Sequence, residues 1–286
     1  MTVNDNRYVL VFPALILLVF NSIMPLLVVL NYSFTTPFGP QQVFEGLNNF
    51  TRLLHDPAWW SALGRNALFT LLALVIQIPL GLGLALVVRG RGKLISLTST
   101  VIILPSLIPF VSIGLLWRLM TLTGGPVPQL LNAIGINYEL MSPGGAFWTL
   151  VIMDSWHWTS LVFLLISASL ITIPDSYYIA ARIDGSTRWQ TFRYITLPGI
   201  RYSLVLVMVL RLIDTLRIYD ENFILTGGGP GRSSELVSLF IVKKALREWA
   251  GGFSAAAAVV YLVIDVLLVF LLIMIMTRGK GMLERS

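Results

Sequence analysis

One cluster in this chain has the residue types and spacing to hold a polar solute: Asp154, His157, Trp158 and Leu161. Offsets of three, four and seven residues from Asp154 place all four on one stripe of a helix. A carboxylate at Asp154 can bridge two hydroxyls, and the Trp158 indole can stack on the face of a sugar or polyol. The alternative pairs Asp154 with a neighbouring helix and leaves His157 as a hydrogen-bonded packing residue. A second set, Arg211, Asp214, Arg217, Asp220 and Glu221, crowds into another apolar stretch. At about 100° per residue the set winds around its helix. Asp214, Arg217 and Glu221 then share a face and neutralise one another through i,i+3 and i,i+4 pairs. Arg211, Thr215 and Ile218 lie on the adjacent face, where Arg211 either meets solute or pairs with Asp214.

These groups sit in elements that must cross a membrane. The chain has 286 residues, 56% hydrophobic and 12% charged, against about 25% charged in soluble domains. Six windows are long and apolar enough for membrane spans: 8–32, 62–88, 95–121, 147–173, 202–225 and 252–277. Each must be a helix, because lipid offers no partner for backbone N–H and C=O groups. The first is too long for a removable signal peptide and is expected to be retained. A polar group at the centre of such a helix costs about 2.5–3.5 kcal/mol on insertion scales and usually faces protein or a cavity. Gln77 and Asp265, alone in their spans, are expected to form interhelical hydrogen bonds. Pro105 and Pro109, four apart with Ser106 between them, break the third span and free backbone carbonyls mid-membrane.

Orientation follows from the loop cations. With both termini on one side, that side holds 11 of the 20 Lys and Arg residues and the other side holds five. This bias places both ends in the cytoplasm, so the net charge of +6 reports topology and not nucleic-acid binding. The chain has no cysteine, which excludes disulfides and thiolate metal sites. His55 and His157 are too far apart in sequence to suggest a metal cluster. Soluble binding modules are excluded by composition.

The loops carry their own punctuation. Residues 33–61 read as an outer loop with a short helix, Leu47–Leu54, ended by Asp56-Pro57. Residues 122–146 form a second outer loop rich in Gly and Pro. The third begins at Thr226-Gly-Gly-Gly-Pro-Gly231, where the fifth helix must break. No Lys-Ser or Lys-Thr follows those glycines, and Gly90-Arg-Gly-Lys93 also fails the phosphate-loop pattern. Inside, residues 174–201 start a helix at Pro174-Asp175-Ser176, with Ile179, Arg182 and Ile183 on one face. Gly185 ends it, Ser186 or Thr187 caps a second short helix, and Pro198-Gly199 stops that one. Trp189 and Phe192 complete an apolar knob, fit to dock another protein or to lie at the lipid headgroups.

The order Ala180-Ala181, three residues, Gly185, nine residues, Ile195-Thr-Leu197-Pro198 resembles the cytoplasmic loop of type I ABC importer permeases. Ile179 stands where that family has glutamate, which puts a salt bridge from that position in doubt. Leu104-Pro-Ser-Leu-Ile-Pro109, Leu225-Thr-Gly-Gly-Gly-Pro230 and Leu47-Asn-Asn-Phe50 resemble the carbohydrate-uptake branch, and the chain is similar to the larger permease subunit of maltose importers. The resemblance implies an all-α membrane protein, with residues 1–286 forming a single six-helix permease domain of the type I importer fold. It implies ATPase coupling through Ile179, Ala180, Ala181, Asp184, Gly185, Ile195, Leu197 and Pro198. It places cargo at Ser106, at the Asp154, His157, Trp158 and Leu161 stripe, and at Arg211, Thr215 and Ile218. The implied partners are a second, unlike permease, two ATP-binding cassette subunits that bind ATP and Mg, an extracytoplasmic solute-binding protein and membrane lipid. The expected location is the bacterial cytoplasmic (inner) membrane, crossed several times. The chain itself is expected to hold no cofactor and catalyse nothing, importing a sugar or polyol by alternating access. The rivals are an ion-coupled secondary transporter using the helix 5 charges, and an intramembrane enzyme, for which no zinc motif or Ser–Lys or Asp–Asp dyad speaks.

Overall fold

The structure is a computed structural model and describes residues 7–36, 43–89 and 93–278. Gly90, Arg91 and Gly92 of the inner loop, and the C-terminal Lys280 and Arg285, lie outside the described residues. Thirteen α-helices follow in order among the described residues: α1 (Arg7–Ser33), α2 (Asn48–Leu54), α3 (Pro57–Val87), α4 (Lys93–Ile103), α5 (Phe110–Thr121), α6 (Pro126–Ala133), α7 (Ala146–Ile171), α8 (Asp175–Ile183), α9 (Arg188–Thr191), α10 (Leu197–Arg217), α11 (Asp220–Leu225), α12 (Val237–Leu246) and α13 (Gly251–Arg278). There is no strand among them, only an isolated antiparallel bridge between Thr35 and Phe44. Six helical segments are long and apolar enough to cross a membrane, so this is a multi-pass membrane protein.

The third expected span is two helices. A 3-10 turn over Leu104–Leu107 and extended backbone at Ile108 and Pro109 separate α4 from α5. The break falls at the two prolines, whose rings and missing N–H groups disrupt a continuous ladder. The fifth span breaks where no Gly or Pro stands: Ile218 and Tyr219 leave helical geometry between α10 and α11. Glu221 therefore stands on a different helix from Asp214 and Arg217, and the expected three-residue neutralising face is not formed. Asp214 pairs instead with Arg211, Arg211 Nη1 lying 3.3 Å from Asp214 Oδ2.

The loop 174–201 departs from expectation at its second helix. Its first helix, α8, ends at a left-handed Gly185 (φ +70°), where the Ser186 N–H donates to the Ala181 carbonyl at 2.9 Å. That six-to-one closure is the Schellman ending for which glycine is suited. Thr187 then caps α9 in a reciprocal box: the Gln190 N–H donates to Thr187 Oγ1, and the Thr187 N–H donates to Gln190 Oε1. Pro198-Gly199 does not stop the second helix. A π-turn over Phe192–Thr196 leads directly into α10, and its wider winding accommodates a proline that cannot donate a hydrogen bond.

The chain divides into two compact units: Met1–Ser61 with Phe240–Ile264, and Ala62–Leu239 with Asp265–Ser286. In the first, Trp59 packs against Phe240 and Tyr261. Buried Asn49 donates to the carbonyls of Ser33 and Thr35, both at 3.2 Å, fixing the end of α1 to α2. Gly252 lies directly under that junction: a methyl there would collide with the Thr35 carbonyl and stand 2.6 Å from Asn49 Nδ2. Gly252→Ala is expected to cost about 1–3 kcal/mol, read as a fall of roughly 5 °C in melting temperature.

In the second unit α7 is the central helix. Phe147, Leu150, Val151 and Met153 join Phe69, Ile113, Ile218, Leu225 and Leu236 in one apolar cluster. Val162, Phe163, Ile166 and Leu170 join Ala85, Ile173, Ile200 and Val207 in another. The residues between, 154–160, include Asp154, Ser155, His157, Trp158, Thr159 and Ser160. A polar layer thus separates two apolar clusters along α7.

Candidate functional site

The polar layer is organised around Arg211, whose side chain is fully buried. Its Nε donates to Gln77 Oε1 at 2.7 Å, its Nη2 to Asp154 Oδ2 at 3.0 Å, and its Nη1 to Asp214 Oδ2 at 3.3 Å. Gln77 Nε2 donates in turn to Asp154 Oδ2 at 2.6 Å. The Trp158 ring covers the guanidinium, its centroid 4.3 Å from Cζ. Three helices, α3, α7 and α10, therefore meet through one ion-paired, hydrogen-bonded network. An unpaired arginine or aspartate could not sit at this depth, whereas a bonded set can. Gln77 forms the interhelical hydrogen bonds expected of it.

Beside this network lies a cavity of about 210 Å³, lined by Phe110, Asp154, Trp158, Asp214, Arg217, Ile218, Tyr219, Asp220 and Glu221. The break between α10 and α11 forms part of its wall. Non-helical backbone at membrane depth is tolerated where it lines a cavity, and the two acids that open α11 complement the exposed N–H groups of its first turn. Phe110 stands at the start of α5, directly after the Pro109 break. Its ring is 5.7 Å from that of Trp158. The cavity is thus built at the two places where spans are interrupted.

The structure brings together Asp154, Trp158 and Ile218 from the cargo positions expected from sequence, with Arg211 directly behind them. His157 is buried and packs against the rings of Phe110 and Trp158, at 5.7 and 5.0 Å. Ser106 donates to its own turn at the Ile103 carbonyl, and Thr215 donates to the carbonyls of Arg211 and Leu212. Those three and half-buried Leu161 do not line the cavity. Sequence reasoning did not assign Phe110, Asp214, Arg217, Tyr219, Asp220 or Glu221 to the cargo site. The Pro109 break is a local signal for Phe110, whereas nothing in the residue types announces the turn at Ile218-Tyr219.

At the loop 174–201, the Arg89 guanidinium lies 3.5 Å from the Tyr178 ring centroid and 3.9 Å from Asp175. The Tyr178 hydroxyl reaches Thr196 Oγ1 at 3.1 Å. The end of α3, the helix α8 and the π-turn before α10 are tied together by these contacts. Ala181 turns inward and is buried, whereas Ile179 and Ile183 are exposed.

Comparison with known proteins fits this geometry. Over 97% of this chain and 99% of its own length, the probable ABC transporter permease protein YurN of Bacillus subtilis (strain 168) is 33% identical. The trehalose/maltose transport system permease protein MalF of Thermococcus litoralis is 33% identical over 71% of this chain and 70% of its own. A bacterial ABC transporter involved in import of the acidic polysaccharide alginate shares the fold, with a TM-score of 0.83, 22% identity and coverage of 95% and 94%. Residues 77–278 match the family described as binding-protein-dependent transport system inner membrane component, and this chain, a multi-pass ABC transporter permease, belongs to that family.

Proposed function

We propose that the chain is one of two unlike permease subunits of an ATP-driven importer that carries a sugar or related polyol across the bacterial cytoplasmic membrane. All 286 residues would act as one permease domain with both termini in the cytoplasm. The observation that carries the proposal is the cavity at the two broken spans, with the Trp158 and Phe110 rings and the Asp154 and Asp214 carboxylates in its lining. Aromatic faces suit the C–H face of a sugar ring, and carboxylates accept from its hydroxyls. The relatedness to a trehalose/maltose permease points the same way.

Energy would enter from two ATP-binding cassette partners, which bind ATP and Mg, through the loop 174–201. Because α9, the π-turn and α10 are continuous, a push on the loop reaches Arg211 and Asp214 along one rod. Alternating access would then open the cavity first to a solute-binding protein outside and next to the cytoplasm. The buried network consumes the charge of Arg211 in fixed partners, which suits a scaffold better than an ion relay.

The test is to purify the tagged chain from its native membrane and identify what accompanies it. A second permease and an ATPase, with uptake in liposomes that requires ATP, support the reading. A chain that runs alone and moves solute under an ion gradient overturns it. Within the reconstituted importer, Trp158→Ala is expected to slow uptake about tenfold at subsaturating cargo, equivalent to about 1.4 kcal/mol. Trp158→Phe, which keeps an aromatic face, is expected to retain most of it.

A further inference from the structure

We infer that the cavity selects cargo by charge: it accepts a polyhydroxylated compound that is neutral or carries an amine, and rejects sugars bearing carboxylate, sulfonate or phosphate groups. This rests on the reading of the cavity as the cargo site, and adds the chemical class of the cargo.

Four carboxylates reach the lining from three helices: Asp154 from α7, Asp214 from α10, and Asp220 and Glu221 from α11. Two cations answer them, Arg217 in the lining and Arg211 behind it in ion pairs with Asp154 and Asp214, which leaves an excess of two carboxylates. Arg211, the group whose charge would suit an anion, is not available. It is fully buried, all three of its nitrogens donate to Gln77, Asp154 and Asp214, and its face is covered by Trp158.

Glu221 is the independent pointer to a ligand. It lines the cavity and is only 6% exposed. Its carboxylate accepts from its own backbone N–H, and among the described residues no other side chain bonds or ion-pairs with it, so most of its acceptor capacity is unused. Removing a carboxylate from water is costly unless a partner replaces the lost hydrogen bonds. A hydroxyl or ammonium on the cargo supplies that partner, whereas an anion adds repulsion where the low dielectric magnifies it. Asp214 contributes a second acceptor: its side chain is 43% exposed, and it meets Arg211 through Oδ2. The rings of Phe110 and Tyr219 favour a cation over an anion as well, through their negative faces.

The absence of cysteine from the sequence makes the potential of the cavity directly measurable. Single cysteines are introduced as Tyr219→Cys and Phe110→Cys in the full-length chain purified with its partners, with Ile134→Cys, exposed outside the cavity, as reference. Each is labelled with cationic aminoethyl methanethiosulfonate and anionic sulfonatoethyl methanethiosulfonate, and the modification of this chain is followed by mass. The cation-to-anion rate ratio is expected to exceed that of the reference by about tenfold or more at both cavity positions, the focusing effect of a charged cleft. Adding Glu221→Gln to Tyr219→Cys is expected to reduce the excess severalfold. A ratio at or below the reference at both positions, or cavity cysteines that neither reagent reaches, overturns the inference. So does an anionic solute identified as cargo of the reconstituted importer. Failure of the importer reading itself would show as missing partners or ATP-independent uptake, and the labelling ratio requires neither.

Discussion

Arg211→Met is expected to remove most of the folded protein, with a loss of about 3–5 kcal/mol and a fall of roughly 10 °C or more in melting temperature. Methionine fills much of the same space, so the loss comes from charge rather than volume. Asp154 would be left with Gln77 as its only partner, buried between two apolar clusters, and Gln77 Oε1 would lose its donor. Removing one member of a buried ion pair strands the other, whereas replacing both by apolar groups of similar size is often neutral or stabilising. Arg211→Met combined with Asp154→Leu is therefore expected to recover most of the lost stability, and addition of Gln77→Leu to recover more. Thermal unfolding of the four proteins in one detergent makes the comparison. A stable Arg211→Met single variant, or a double variant no better than the single, would show that the network does not hold the three helices together. The rescued double variant has a further use: uptake by it would assign the network to scaffolding, and stability without uptake would assign it to transport.

What could be read in advance depended on whether a feature was local in sequence. The spans were legible because membrane thickness sets a long apolar window, and the breaks at Pro105, Pro109 and after Leu225 because Pro and Gly announce them. Helix α12 was not legible. At ten residues it is too short for a span and has no strong terminal signal. The turn at Ile218-Tyr219 was hidden for a different reason: neither residue disfavours helix strongly, and Ile218 packs into an apolar cluster that only the fold assembles. That single miss moved Glu221 from an expected ion pair into a cavity wall. The Arg211–Asp214 contact lay within one helical turn and was visible as an alternative. The Gln77–Asp154–Arg211 network was not, because its members are 77 and 57 residues apart and only the fold brings them together. Pro198 was misread because its usual effect, ending a helix, was met by a π-turn that let the rod continue.

The second large effect is expected at α8, in the loop 174–201, and should leave the fold untouched. Ile183→Asp is predicted to abolish recovery of the ATPase partner and ATP-dependent uptake, while the melting temperature of the isolated chain changes little. Ile183 is 81% exposed on α8, and Ile179 is 49% exposed, so both are spare apolar surface in the chain alone. Their helix is held from behind: Ala181 is buried, Arg89 covers Tyr178, and the turn at Gly185 fixes the end. On the proposed reading of α8 as the docking helix, Ile179 and Ile183 would dock by apolar burial, with no salt bridge from position 179. Full burial of an isoleucine contributes about 1.5–3 kcal/mol, and a carboxylate forced into the same contact loses that and adds its own desolvation. A combined loss near 3 kcal/mol lowers association by about a hundredfold or more. Ile183→Val, which shortens the side chain and keeps it apolar, should retain coupling. Co-purification of the ATPase from membranes carrying each variant, scored beside uptake, decides the matter. If Ile183→Asp still binds the ATPase and transports normally, α8 is not the docking helix, and the drive must enter through another part of the loop. If binding survives and transport alone is lost, docking rests on the neighbouring exposed residues, such as Trp189 and Tyr194, and Ile183 serves the transmission of movement instead.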